Sequence, residues 1–412
     1  MLAAGTVNIT TMVRCCDVAA NTPQANVAVI AVNADGNVAG TATTDAQGHA
    51  TLTIREGATV TAIYPEEKVN QETFAISYVG VKPNDSLTYG DAYYTPNQTL
   101  TGTAGQMTIN WPAVTGAYQY RLITPCESPY TAGLTYSISL QTYCQMPTAP
   151  IGLFAVDTNY EVISSVYLPA AAFTVGATVN VTAGQWVNQA VGNYTVSISG
   201  LPASVYEADF DVDAKYAGFN YDASNYVIPK SGAGSVMISS PTTVLGTTAH
   251  ARLYRNNYSR QDHYKPGPSP VAFPAPTLPW LSGLIFNPED RHALWLQTAG
   301  TYDASILETN WTHSAVKEPD HYFRWRVILP PGVTEFAVGT PPAELAPYLP
   351  GADDSVGYEL TLVDLSSAAS YDAARALPEW RLADASSAVD AGDEPLAQIT
   401  QYDGGEGFTF TH

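Results

Sequence analysis

Glu207, Asp209, Asp211 and Asp213 occupy every second position of one short run, with Ala208, Phe210 and Val212 between them. In an extended strand that spacing puts the four carboxylates on one face, about 7 Å apart, and the apolar residues on the other. Like charges so arranged repel, and a hard cation such as calcium would relieve them. The run lacks the glycine and closing glutamate of a helix–loop–helix calcium loop. The rival reading is a solvated acidic face that aids solubility. A counter-pattern follows at 252–265, where Arg252, Tyr254, Arg255, Tyr258, Arg260 and Lys265 crowd together in a very acidic chain. Arg and Tyr are the residues that carry most of the energy at interfaces. The patch could dock the acidic face of another subunit, or an acidic glycan; otherwise it is an exposed hairpin whose arginines pair locally.

No other constellation nominates itself for chemistry. The chain holds no Gly-x-Ser-x-Gly, His-Glu-x-x-His, Gly-x-Gly-x-x-Gly or phosphate-binding loop. Glu318, Asp320 and His321 sit together on an expected turn. Trp186, Trp295 and Trp311 could stack on sugars, but sandwich cores consume tryptophan, and each is expected in a core. Cys126 and Cys144 flank a hairpin-like segment, and a disulfide between them would contribute about 3 kcal/mol. Cys15 and Cys16 are adjacent on an expected strand and must face opposite ways. Seven Asn-x-Ser/Thr sequons, at Asn8, Asn84, Asn97, Asn180, Asn193, Asn257 and Asn310, fit a surface protein where the source glycosylates.

The elements that must position these groups are strands. Residues 27–60 alternate apolar and polar with period two. They break at Ala34-Asp35-Gly36-Asn37, Asp45-Ala46-Gln47-Gly48 and Glu56-Gly57, as antiparallel strands joined by tight turns do. Asp45 is expected to accept from amides downstream, and Gly48 to take a positive φ. Helix is expected only near 371–377. Residues 382–407 read as loop, with Phe408-Thr409-Phe410 returning as a terminal strand.

The chain has 412 residues, only 13% of them charged, and a net charge of −21. That length suits three or four sandwich modules. The acidity argues against a nucleic-acid backbone or anionic lipid as partner. No run of 18 apolar residues occurs, so no helix-type transmembrane segment is expected.

Two stretches resemble known families. Pro23-Gln24-Ala25-Asn26-Val27-Ala28-Val29, Thr43-Thr44-Asp45-Ala46-Gln47-Gly48-His49-Ala50 and the Leu52/Ile54 strand resemble the transthyretin-like or carboxypeptidase-regulatory-like β-sandwich, which covers 1–95. The segment Thr108-Ile109-Asn110-Trp111-Pro112 through Tyr118-Gln119-Tyr120-Arg121-Leu122 resembles the opening of a fibronectin type III domain, over 96–178. That resemblance implies Trp111 and Tyr118 or Tyr120 in the sandwich core. A third β-sandwich is expected at 179–262, then a Pro-rich linker at 263–280 and a C-terminal sandwich at 281–412. Six prolines between Lys265 and Pro279 motivate the linker.

The expected fold class is therefore all-β: tandem immunoglobulin-like and fibronectin-like antiparallel β-sandwiches. The expected protein is a non-enzymatic extracellular or cell-surface structural component, a filament or surface-layer subunit or an adhesin. Its expected partners are copies of itself, another surface protein or a glycan. Calcium is the one cofactor expected, at 207–213, and any export leader lies outside this sequence. The alternatives are a carbohydrate-binding accessory protein and a hydrolase with an unfamiliar site in 281–412.

Overall fold

The computed structural model describes residues 4–404 apart from 14–21, 65–71, 92–102, 142–145, 161, 189–190, 217–218, 230–231, 242–245, 314–320, 339–340, 352–353, 386–388 and 390–394. The alternation at 27–60 becomes the strands Ala28–Val32, Val38–Thr43, His49–Arg55 and Ala58–Ile63. The turns between them form as their residues demand. The Asp45 carboxylate accepts from the amides of Gln47 and His49, each at 2.9 Å. Gly48 takes φ +74°, where a Cβ would lie 2.3 Å from the Thr11 carbonyl oxygen. No L side chain fits there.

The structure is all-β, built of several sheets packed as sandwiches. Its largest sheet has twelve strands. In spatial order they are Phe219–Val227, Glu207–Tyr216, Gly246–Tyr254, Ser259–Pro266, Ala397–Gly404, Ser355–Leu365, Ala304–His313, His321–Leu329, Glu72–Val81, Ala58–Ile63, Ala28–Val32 and Val38–Thr43. Neighbours run antiparallel except at one joint, where residues 322–328 pair in parallel with 72–78. This sheet forms one wall of three sandwiches. One core, around Tyr64, Phe74, Ile76, Tyr78 and Tyr89, also takes in Ile306, Ile328, Val363 and Leu365. A second gathers Trp295, Trp311, Trp325, Leu360 and Leu362 with Ile30, Ile63 and Ala75. A third holds Val196, Phe210, Val212, Leu253 and Trp280. The stretches 1–95 and 281–412 therefore share two cores, because strand pairing and burial run straight across them.

The sandwich that follows residue 95 has its own core, with Met107, Trp111, Tyr120, Ile138, Leu153 and Phe173. Of the two tyrosines that could have joined Trp111, Tyr120 does so. Its ring centroid lies 5.6 Å from that of Trp111. Tyr118 is exposed instead.

Three segments share one device, a first strand paired in parallel with a late one, which is the last in the first and third; in the second, Val187–Asn188 follows it. Residues 8–13 pair with 86–91, 108–110 with 178–180, and 196–198 with 271–273. The last pair changes the expected linker. Val271–Phe273 is a strand of the third sandwich, with Val271 and Phe273 in its core. The prolines on either side of it cannot donate to a ladder, yet three residues without proline are enough to pair.

Two readings of the C-terminal region also change. Ala397–Gly404 is not loop but an interior strand of the long sheet, paired on both sides. The helix expected near 371–377 forms at Tyr371–Arg375, and a second follows at Glu379–Ala383. Cys15, Cys16, Cys144, Asn97, Glu318, Asp320 and Phe408-Thr409-Phe410 lie outside the described residues.

Candidate functional site: a charged stripe across the long sheet

The four carboxylates of 207–213 share one face, and Ala208, Phe210 and Val212 are fully buried on the other. Strand register then decides what the acids meet. Asp209 lies opposite Arg252, Asp211 opposite His250, Asp213 opposite Thr248 and Glu207 opposite Tyr254. The acidic run and the basic patch are thus next-door strands of one sheet.

The centre of the stripe is Asp262, whose side chain is 1% exposed. Its Oδ1 accepts from Arg252 Nε at 2.7 Å and lies 2.8 Å from His250 Nε2. Its Oδ2 accepts from Arg260 Nε at 3.2 Å. Arg260 also donates to Gln401 on the next strand. The other imidazole nitrogen of His250 lies 3.2 Å from Asp211 Oδ2. Its ring stacks on Tyr264, with centroids 4.4 Å apart.

These contacts set the charges. Burial pushes the Asp262 carboxyl up, but hydrogen bonds and charge from His250 and Arg252 outweigh it and hold the group at about 2. Burial pulls His250 down, and its bonds to Asp211 and Asp262 reverse that, leaving it raised. The two carboxylates favour the protonated form of the imidazole. Both of its nitrogens are engaged, so neither is free to take a proton from a substrate. Across the sheet, His263 is fully buried, and desolvation lowers it to about 4; its ring sits edge-on to Phe273 at 6.1 Å.

The expected interface residues are therefore largely committed within the chain. Arg252 and Arg260 serve Asp262. Lys265 donates to the Ala272 carbonyl at 3.0 Å, tying down the Pro-rich segment. Tyr254 is half-buried beside Tyr206. Arg255 and Tyr258 lie at the turn, where Tyr258 is exposed. The calcium expectation does not carry over. Side chains about 7 Å apart along a strand do not converge on one ion with bonds of about 2.4 Å. Among the described residues no group of three His, Cys, Asp or Glu is placed to hold a metal. Cys126 is disulfide-bonded.

A second charged cluster was invisible in the sequence. Arg326 donates to Glu308 at 2.7 and 2.9 Å and is ion-paired with Glu379. Burial works against the Arg326 charge, but Glu379 and Glu308 more than offset it. Arg375, almost fully buried, reaches Asp85 at 2.8 Å and the Gly80 carbonyl at 2.9 Å. Tyr371 donates to the Val79 carbonyl at 2.7 Å. Lys82 pairs with Asp372 at 2.6 Å. The two short helices thereby pin the strands of 72–91 to those of 304–365.

No family model matches the chain, and no curated protein matches it. Among solved structures it is similar to the Bacillus anthracis TIE protein, at 10% identity and a TM-score of 0.16 over 66% of this chain and 49% of that one. This chain thus spans about half the length of that protein. It is similar to the shaft pilin SpaA of Lactobacillus rhamnosus GG at 12% identity and a TM-score of 0.14, over 69% of this chain and 100% of the pilin. The fimbrial anchor protein Mfa2 of Porphyromonas gingivalis matches at 11% identity and a TM-score of 0.13, over 61% and 78%. Likenesses at this level carry no argument about what this chain does.

Proposed function

We propose that this chain is a non-enzymatic structural protein of the cell surface, a subunit of a filament or surface layer or an adhesin. The observation that supports this most is the use to which its charges are put. Arg252 and Arg260 of the basic run are paired with Asp262, His250 links Asp262 to Asp211 of the acidic run, and a single twelve-stranded sheet ties three sandwich cores together. Such an arrangement builds a stiff scaffold. The disulfide at Cys126 fits an oxidising compartment, and the sparsely charged surface fits exposure outside the cell.

In this reading the closing strands give each module its limits. The Pro-rich stretch belongs to the third module, and assembly uses surfaces other than the paired arginines. Labelling intact native cells with a membrane-impermeant amine reagent tests the location. Labelling comparable with that of known surface proteins is expected. Protection until the cells are lysed would sink the proposal.

A further inference from the structure

Three tyrosines from three separate segments meet on the surface of the second sandwich. Tyr118 follows the loop that leaves Trp111, Tyr130 lies on the short strand Tyr130–Thr131, and Tyr160 sits on the turn after the strand Thr148–Val156. Their exposures are 56%, 46% and 55%. Tyr160 is central. Its ring centroid lies 6.2 Å from that of Tyr118 and 6.1 Å from that of Tyr130, with both neighbours nearly perpendicular at 76° and 79°. The Arg121 guanidinium covers the Tyr130 ring at 5.4 Å, and its Nε lies 3.4 Å from the Ser128 hydroxyl.

Tyr160 holds φ +64°, a left-handed conformation that an aromatic residue adopts at a cost. The Asp157 carboxylate fixes the turn by accepting from the Asn159 amide at 2.8 Å. Burial does not repay that cost, since the ring remains half in water.

We propose that the Tyr118, Tyr130 and Tyr160 cluster is a binding platform for an unbranched β-linked oligosaccharide of glucose or N-acetylglucosamine. An aromatic face carries partial negative charge. A pyranose with all its substituents equatorial offers it a flat layer of C–H groups. Arg121 and the hydroxyls and amides beside the rings reach the sugar's own hydroxyls. Tyrosine supplies rigid amphipathic area with few torsions to freeze.

The surroundings separate a glycan from other partners. Thr115, Gly116, Ser128, Thr158 and Asn159, exposed beside the rings in sequence, are small and mostly polar, with Leu134 the large aliphatic side chain exposed after Tyr130. The core of a protein–protein interface needs contiguous apolar area, and a nucleic acid needs a basic face, which a chain of net charge −21 does not favour.

The test titrates the full chain with cellohexaose and with chitohexaose, read by calorimetry. Saturable binding of at least one is expected. Tyr160→Ala and Tyr118→Ala should each weaken it about tenfold, the size of one good aromatic contact. Tyr160→Phe should retain it, and Tyr322→Ala, at an exposed tyrosine of the long sheet, should leave it unchanged. Failure of both sugars to bind would overturn the proposal. So would binding that ignores the alanine variants, or variants that alter only self-association in sedimentation, which would make the patch a contact between copies. All four substitutions are at exposed side chains, and matching melting curves would confirm folded protein.

Discussion

Arg326, on a strand of the long sheet, is ion-paired with Glu379, a carboxylate with no solvent exposure at the start of a short helix. A buried charge that loses its partner keeps its full desolvation cost, whereas replacing both partners with apolar groups removes that cost. Glu379→Gln, which leaves Arg326 with Glu308 as its remaining carboxylate, should therefore destabilise the unit that contains 304–404 by at most about 3 kcal/mol. The double variant Arg326→Met with Glu379→Leu should lose less than the single one, because the Glu308 it leaves unpaired is partly exposed and can be hydrated. Denaturant melts of the three proteins decide it, and a double variant worse than the single would refute the argument.

Asp262 and His250 give the stripe a pH window. Asp262 is lowered to about 2, so its contribution is present above the ordinary carboxylate range near pH 4 and is lost as pH falls toward 2. His250 is raised, so its contribution is full below its unfolded value near pH 6.5 and is lost as pH rises through the folded value. The stripe should be strongest between about pH 4 and 6.5. Asp262→Asn should lower the melting temperature most inside that window and flatten its acid limb. An Asn variant with the wild-type pH profile would exclude this assignment.

Among the described residues, the second sandwich has a core drawn from its own residues, and its two sheets pair with no strand outside it. Residues 96–188 expressed alone should give a cooperative melt and a dispersed proton spectrum. The corresponding piece 1–95 should not, because its core is completed by Ile306, Ile328 and Val363. An independently folded 1–95 would contradict the shared-core description.

Cys126 is disulfide-bonded, and the proposed partner is Cys144. A non-reducing peptide map should link those two. Reduction should cost the second sandwich about 3 kcal/mol and leave the others unmoved. A crosslink from Cys126 to Cys15 or Cys16 would disprove the pairing.

Period-two patterning made much of the fold readable. It placed Ala208, Phe210 and Val212 on a core face, and it set the turns at Gly36, Gly48 and Gly57. It failed where the approach to a strand was rich in Asp, Ala and Ser, as at Ala397–Gly404. It also could not see pairing between residues far apart in the chain, such as 72–78 with 322–328. Of the stripe, both charged runs were visible but not their adjacency. The missed signal was Asp262 itself: folding the hairpin about Asn256 and Asn257 sets it opposite Arg252. Arg326 with Glu379 and Arg375 with Asp85 left no local trace at all.

The parallel closing strands have a mechanical consequence. In the first and third of these segments the chain enters on the first strand and leaves on the last, and the two point the same way; in the second the short strand Val187–Asn188 follows the closing one. Tension along the chain then acts along those strands and across their hydrogen bonds, so the bonds must break together rather than peel one by one. The first segment, with six residue pairs in register from Asn8↔Ser86 to Val13↔Asp91, should resist stretching more than the two closed by three pairs. Pulling single molecules by their ends should show that segment yielding last of the three. If so, this is a molecule shaped to be hung from and tugged.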